Sequence, residues 1–121
     1  TSVTSTLQAK LAQDRSIDWV VGLQAGVSMA ISDAADAANS EVKIATFDTN
    51  AQLMTAIRDG KIQFAIDQQP YLQGYMAVDS LCLAHRNGTT VGGGRPVYTG
   101  PAIVDATNVD VIAEAVGEGL R

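Results

Sequence analysis

The sequence predicts an α/β fold: a short, mostly parallel sheet forms the middle of three layers, with helices on both faces. Two observations predict it. Short segments of strand length alternate with longer segments that repeat apolar residues at helical spacing. The strand segments are apolar nearly throughout, which is typical of parallel strands buried on both sides. The 121 residues are enough for one domain with a modest core.

Four segments have strand character, and each lies between segments of helical or loop character. Pro101 and Gly100 interrupt the last one, which favours an edge position or a bend for it. The four predicted strands are Asp18–Leu23, Val42–Phe47, Ile62–Ile66 and Val97–Val104.

Five segments are predicted to be helical, and several carry end signals. Thr49 and Gln52 form a capping box for the third helix, which ends at Gly60. Gln69 as N-cap and Pro70 at the first helical position open the fourth. The five helices are Thr4–Asp14, Ala25–Asn39, the segment opened by Thr49, Pro70–Asn87 and Asn108–Gly117.

Composition and charge argue against several classes of function. The net charge is −5 and the eight basic residues are scattered singly, so nucleic-acid binding is not expected. No apolar run reaches the ~20 residues of a membrane span. Gly92–Gly94 precedes an extended segment rather than a helix, so no nucleotide cofactor is expected, and no residue spacing predicts a metal. The single cysteine, Cys82, is expected to be a buried structural thiol.

Polar side chains follow three successive predicted strands. Gln24 follows the first strand, Asp48 the second, and Asp67 and Gln68 the third. Ligands of open α/β sheets bind at this carboxyl edge. Carboxylates accept hydrogen bonds, while amides accept and donate, which suits the hydroxyl groups of a polyol. The alternative is that these residues are turn formers and helix caps.

The residues that carry this pattern also resemble a known family. The stretch "VKIATFDTNAQLMTAIRDGKIQFAIDQQPYLQGYMAVDSL" and the phrase "YTGPAIVDATNVD" resemble the carboxyl-terminal lobe of type I periplasmic binding proteins. These are the ribose-binding-like solute receptors of sugar ABC transporters. The resemblance extends from Ile17 to about Asn108.

The resemblance implies a two-lobed receptor that closes on a sugar or sugar-like polyol without chemistry. Asp48 and Gln68 match the family's sugar-binding aspartate and glutamine. Gln24 falls near a position often filled by asparagine, although the match needs a one-residue gap. Asp67, with Gln69 and Pro70, is expected to hold the hinge or to support the ligand-contacting residues from behind.

The resemblance also implies what this chain represents. Residues 1–121 form a single piece covering most of the carboxyl-terminal lobe plus the last lobe-crossing helix, and the start at Thr1 is read as processing or excision. The helix Tyr71–Asn87 would pack on the absent amino-terminal lobe, so the piece is expected to self-associate. The implied partner is a membrane ABC permease. The implied location is periplasmic or extracellular, free or lipid-anchored at the outer face of the cytoplasmic membrane.

Three alternatives stay open at this stage. The first is the ligand-sensing domain of a lac-repressor-like transcription regulator, and the second is a membrane-linked chemoreceptor or kinase with the same ligand domain. The third is a carbohydrate-active enzyme that uses Asp48 and Asp67 as a glycosidase pair. The only histidine, His85, lies late in a predicted helix, where a cation suits the helix dipole, so a structural or surface role is expected for it.

Overall fold

The structure, a computed structural model, describes residues 2–121 and contains one four-stranded sheet. The strands are β1 (Trp19–Gly22), β2 (Lys43–Phe47), β3 (Phe64–Asp67) and β4 (Ala102–Asp105), in the spatial order β1-β2-β3-β4. The first three run parallel, and β4 pairs antiparallel with β3. The α/β class and the mostly parallel sheet are therefore confirmed, and β4 is an edge strand.

Five α-helices surround or leave this sheet. Their bounds are α1 Ser2–Gln13, α2 Ala25–Ala37, α3 Ala51–Arg58, α4 Pro70–Asn87 and α5 Val109–Gly117. A short 3₁₀ turn covers Gly92–Gly94. No helix of residues 2–121 combines the length and the apolar character needed to cross a membrane.

The hydrophobic core lies on one face of the sheet. Ile44, Ala65 and Val104 are buried neighbours on β2, β3 and β4, and residues of three helices pack over them. Those helical residues include Ile31 of α2, Leu53 and Ile57 of α3, and Val109 and Ile112 of α5. A second, smaller cluster joins Leu11 of α1 to Ala35 and Ala38 at the end of α2.

The opposite face of the sheet is largely uncovered, which differs from the expected cover on both faces. Trp19, Val21 and Ile103 are each about half exposed there. The Trp19 ring lies 6.1 Å from the Phe64 ring, and the Lys43 ammonium lies over it. The physical reason is the strand order: β1, β2 and β3 are added in one direction, so right-handed crossovers put α2 and α3 on the same face.

Helix α4 contributes no buried residue, unlike the helices that cover the core. It begins with Pro70 and ends at Gly88, whose φ of 70° is the left-handed conformation that glycine adopts readily. Cys82 lies on this helix and is exposed, so the expectation of a buried thiol is wrong for the described chain. The 3.6-residue pattern predicted the helix correctly, but the pattern alone does not say which residues cover a helix face.

The start of α3 also differs from its prediction. Asn50, not Thr49, is the N-cap residue, and its side-chain oxygen accepts a hydrogen bond from the Leu53 N–H at 2.8 Å. The capping residue is therefore one position later than the predicted capping box, and α3 starts at Ala51.

Candidate ligand-binding site

The carboxyl ends of β2 and β3 bring Asp48 and Gln68 together. The strands are parallel neighbours in register, with Phe47 opposite Ile66, so the residues that follow them lie side by side. The Gln68 amide nitrogen donates a hydrogen bond to the Asp48 carboxylate at 2.5 Å. The sequence prediction that these two side chains meet at one edge of the sheet is thereby matched by the geometry.

The backbone at Asp48 turns sharply as it leaves β2. Its φ is 67°, and its N–H donates to the Ile66 carbonyl at 3.0 Å. Aspartate and asparagine tolerate this left-handed conformation better than most residues. Asp48 is half-buried and Gln68 is exposed, so both remain within reach of a molecule outside the sheet.

Gln24 lies at the end of β1 but is not drawn into this pair. It is the N-cap residue of α2, its side chain does not cap the helix, and its carbonyl accepts from the Ser28 N–H. Gln24 is exposed, whereas the neighbouring Leu23 lines the cavity described below. A ligand contact from Gln24 remains a prediction.

Asp67, the last residue of β3, is fully buried, with 0% exposure. One carboxylate oxygen accepts from the Gln69 backbone N–H at 2.8 Å, and the other accepts from the Arg121 guanidinium at 2.6 Å. Both oxygens therefore hold protein groups in place. A hinge or supporting role for Asp67 remains a prediction.

Two chain segments leave and re-enter the sheet next to each other. The first passes through Gln68 and Gln69 into α4, and the second passes through Thr99 and Gly100 into β4. The Gln69 side-chain amide donates to the Thr99 carbonyl, and the Thr99 hydroxyl donates to the Gln68 carbonyl at 3.0 Å. Gln69 has a φ of 58°, and Pro70 fixes the first turn of α4. These paired crossings join residues 70–98 to the sheet.

An open cavity of about 980 Å³ lies between the carboxyl edge of the sheet and α4. Gln68 lines it, together with apolar side chains of both elements and of the loop before β4. Those apolar residues include Leu23, Phe47, Ile66, Met76, Val91 and Val97. Asp48 lies beside this cavity through its bond to Gln68. The polar pair therefore marks one rim of a space whose lining is mostly apolar but also includes Asp67, Gln73, Ser80 and Thr99.

Two further titratable groups, Asp105 and His85, lie away from this rim. Asp105 is at the opposite edge of the sheet, since β4 is antiparallel, and the Thr107 hydroxyl and N–H lower the pKa of its carboxyl group. The exposed His85 lies in the last turn of α4. Among residues 2–121, no group of three or more His, Cys, Asp or Glu side chains could hold a metal ion.

Sequence reasoning missed two residues of this region, Thr99 and Arg121. Both contact the β3–α4 junction from positions more than 30 residues away, and no local pattern marks them. For Arg121 the sequence offers one indirect signal: a carboxylate that is buried, such as Asp67, needs a charged or hydrogen-bonding partner.

Comparisons with known proteins find chains of similar sequence and fold. The family profile described as a periplasmic binding protein domain matches residues 1–89. A carbohydrate transporter from Acidothermus cellulolyticus, solved in complex with myo-inositol, is 50% identical, with a TM-score of 0.90. That match covers 99% of this chain and 42% of the transporter chain. A search of curated proteins finds no significant match.

Two further solved structures show the same fold at lower identity. An ABC transporter solute-binding protein from Agrobacterium vitis, bound with α-D-tagatopyranose, is 26% identical over 95% of this chain and 39% of its own, with a TM-score of 0.73. A periplasmic ribose ABC transporter protein from Conexibacter woesei is 18% identical over 93% of this chain and 38% of its own, with a TM-score of 0.78. The chain spans less than half the length of each of these proteins.

Proposed function

The chain belongs to the periplasmic binding protein domain family, and from that premise we propose that it is part of the solute-binding component of an ABC transporter. The component captures a sugar or sugar-like polyol, without chemistry, and delivers it to a membrane permease. It works in the periplasm or outside the cell, either free or lipid-anchored at the outer face of the cytoplasmic membrane.

The observation that carries this proposal is the Asp48–Gln68 pair. The pair offers a carboxylate and an amide at a rim that solvent reaches, next to an open cavity. A sugar hydroxyl can replace the amide as donor to the carboxylate, while the freed amide donates to a second hydroxyl. Hydrogen bonds to a charged group contribute about 1.5–3 kcal/mol each, so a few of them suffice for useful affinity.

The charge of the site favours a neutral ligand. None of the described residues lining the cavity is a lysine or arginine, and Asp48 adds a negative charge beside it. A sugar phosphate or sugar acid would place an anion near that carboxylate without a cation to pair with. The neutral ligand of the 50%-identical transporter, myo-inositol, is therefore the first compound to test.

The second part of the proposal is closure of two lobes around the solute. The described residues supply most of one lobe, and residues 70–98 leave it and return through the two adjacent crossings. Helix α4 buries no residue against this sheet, which is consistent with packing on another lobe. Bound solute would favour the closed arrangement by contacting both lobes at once.

Calorimetry on the two-lobed receptor tests the binding step. The panel is myo-inositol, pentoses, hexoses and linear polyols, read against the variant Asp48→Asn. Asparagine tolerates the left-handed backbone of this position, so the variant changes the charge with little change in shape. Replacing a charged by a neutral hydrogen bond removes about 1–1.5 kcal/mol, which weakens binding roughly 5- to 15-fold.

The matched control is Asp33→Asn, which removes the same charge from an exposed position on α2. It should bind like the unchanged receptor. If Asp48→Asn and Asp33→Asn bind every ligand equally well, or if no member of the panel binds, the proposed site is wrong.

An enzymatic role is less favoured by the state of Asp67. A glycosidase pair needs two carboxyl groups that reach the substrate, one as the acid and the other as the base or the nucleophile. Asp67 is buried, and its two oxygens accept from Gln69 and Arg121. Turnover of a glycoside by the two-lobed receptor would overturn the non-catalytic proposal.

Self-association of the isolated 121-residue chain follows from α4. Tyr75, Val78 and Leu81 are each at least 63% exposed on that helix, and a second copy can cover them. Sedimentation should show dimers or larger species, which Leu81→Lys shifts toward monomer. Val111→Lys, at an 83% exposed position of α5, is the control and should change nothing. A compact monomer at micromolar concentration would contradict this expectation.

A further inference from the structure

The ion pair between Arg121 and Asp67 lies at the point where the chain leaves the sheet for α4. Arg121 follows α5, which packs on the core, and its Nε donates to the Asp67 carboxylate at 2.6 Å. The Asp67 side chain is 1% exposed and the Arg121 side chain 24% exposed. Among the four ion pairs of the described residues, this pair is the most buried.

A continuous set of hydrogen bonds connects this pair to both crossings. The second Asp67 oxygen holds the Gln69 N–H, which fixes the first crossing in its left-handed turn. The Gln69 side chain donates to the Thr99 carbonyl of the second crossing. The Thr99 hydroxyl returns to the Gln68 carbonyl, directly beside the residue pair at the rim.

Removing Arg121 would leave Asp67 as a buried carboxylate with only one backbone donor. Such a group is unfavourable unless it is paired, so the β3–α4 junction would rearrange to reach water or another donor. Because Gln68 is the next residue, any rearrangement of Asp67 changes how the Gln68 amide meets Asp48.

We propose that Arg121 is a positioning residue, which through Asp67 fixes the hinge between the sheet and α4 and thereby sets how easily the receptor closes. This inference rests on the proposed function, because it assigns a role within the same closing motion. It differs from a purely structural role, in which the pair would affect unfolding only.

The test compares Arg121→Met with Arg58→Met in the two-lobed receptor. Arg58 is a matched control, since its Nε also pairs with an aspartate, Asp110, at 2.7 Å, but on the exposed surface between α3 and α5. A pair of spin labels, one on each lobe, reports the distance across the hinge without ligand, and the lobe described here carries its label at the exposed position Val111→Cys of α5. Cys82, the only cysteine of these 121 residues, is replaced by serine.

We expect Arg121→Met to shift or broaden the label distance distribution and to weaken polyol binding roughly 2- to 30-fold, the range for residues that modulate such couplings. Arg121→Lys keeps the cation but loses the planar guanidinium, so its label distances and its Kd for the polyol should lie between those of Arg121→Met and those of the unchanged receptor. If Arg121→Met does not fold, Arg121→Lys decides the test. Arg58→Met should match the unchanged receptor.

Two contrary results have different meanings. If Arg121→Met lowers only the unfolding temperature while the distance distribution and Kd stay unchanged well below that temperature, the pair is structural and the inference is wrong. If the distribution responds to Arg121→Met but the unchanged receptor binds no polyol, the hinge role stands and the proposed function is wrong.

Discussion

The substitution Gly22→Ala tests how closely α2 packs on the sheet near the edge that carries Asp48 and Gln68. A Cβ atom built on Gly22 would lie 1.9 Å from the Ser28 hydroxyl oxygen and 3.0 Å from the Ser28 Cβ. Gly22 is the last residue of β1, and Ser28 is a fully buried residue of α2. The glycine is therefore required by the contact between strand and helix.

The magnitude follows from what Ser28 would lose. Its hydroxyl lies 2.5 Å from the Thr46 hydroxyl and donates to the Gln24 carbonyl at 3.0 Å. If Ser28 rotates away, up to two hydrogen bonds of about 1 kcal/mol each are lost. If α2 shifts instead, overpacking costs about 1–3 kcal/mol. We expect the free energy of unfolding to fall by about 1–3 kcal/mol, a substantial part of the stability of a typical domain.

Urea unfolding followed by circular dichroism measures this change. The control is Gly26→Ala on the same helix, where a Cβ meets nothing within 4 Å. Alanine there should raise the free energy of unfolding by about 0.5–1 kcal/mol, because it favours the helix. If Gly22→Ala is as stable as the unchanged protein, the close packing described here is wrong.

Further predictions concern capping, titration and ligand charge. Asn50→Ala should lower the free energy of unfolding by about 1 kcal/mol through loss of the α3 N-cap, while Thr49→Ala should change it little; equal effects in urea unfolding would contradict the cap assignment. The Ser16 hydroxyl, Lys10 and the Ser16 N–H lower the pKa of Asp14 to about 2, so Ser16→Ala should raise that pKa toward 3.8 in an NMR titration, and an unchanged pKa would contradict this cause. The Asp14 contribution to stability is present above pH 3.8 and is lost as the pH falls through about 2, because the folded pKa is the lower one. Sugar phosphates should bind the two-lobed receptor more weakly than the parent sugars, and tighter binding of the phosphates would refute the neutral-ligand argument.

Much of the fold could be predicted because local pattern and tertiary structure agree. Apolar strand segments at Val42–Phe47 and Ile62–Ile66 contain β2 and most of β3, and Pro70 and Gly88 mark the ends of α4 as expected. Gly100 and Pro101 correctly indicated an edge position for the last strand, although only Ala102–Asp105 pair with β3.

The position of α4 relative to the sheet could not be predicted from its spacing. An amphipathic pattern says that one helix face needs cover, but not whether the cover lies within the same 121 residues. Packing of α4 on another lobe, which is part of our proposal, would account for the exposure of Cys82. The sheet face around Trp19 and Val21 is exposed because the strands are added in one direction. This order places the described crossover helices on the other face of the sheet.

The candidate site at the ends of β2 and β3 could be predicted in part. Parallel strands bring the residues after β2 and β3 to one edge, so the strand positions predict Asp48, Asp67 and Gln68 there. The choice of Gln68 over Asp67 as a ligand contact depends on the family resemblance. The position of Gln24 could not be predicted as well as those of Asp48 and Gln68. A shift of one residue in the end of β1 decides whether Leu23 or Gln24 faces the cavity, and Leu23 lines it in the structure. Arg121 depends on a contact across 54 residues, which no local pattern encodes.

A crystal structure of the proposed two-lobed receptor, grown with myo-inositol, tests the ligand-binding roles of Asp48 and Gln68. We expect ligand hydroxyl groups within hydrogen-bonding distance, about 2.6–3.0 Å, of both the Asp48 carboxylate and the Gln68 amide, with their mutual bond broken or shared. A polyol bound elsewhere, with Asp48 and Gln68 still bonded to each other and untouched by ligand, would contradict it.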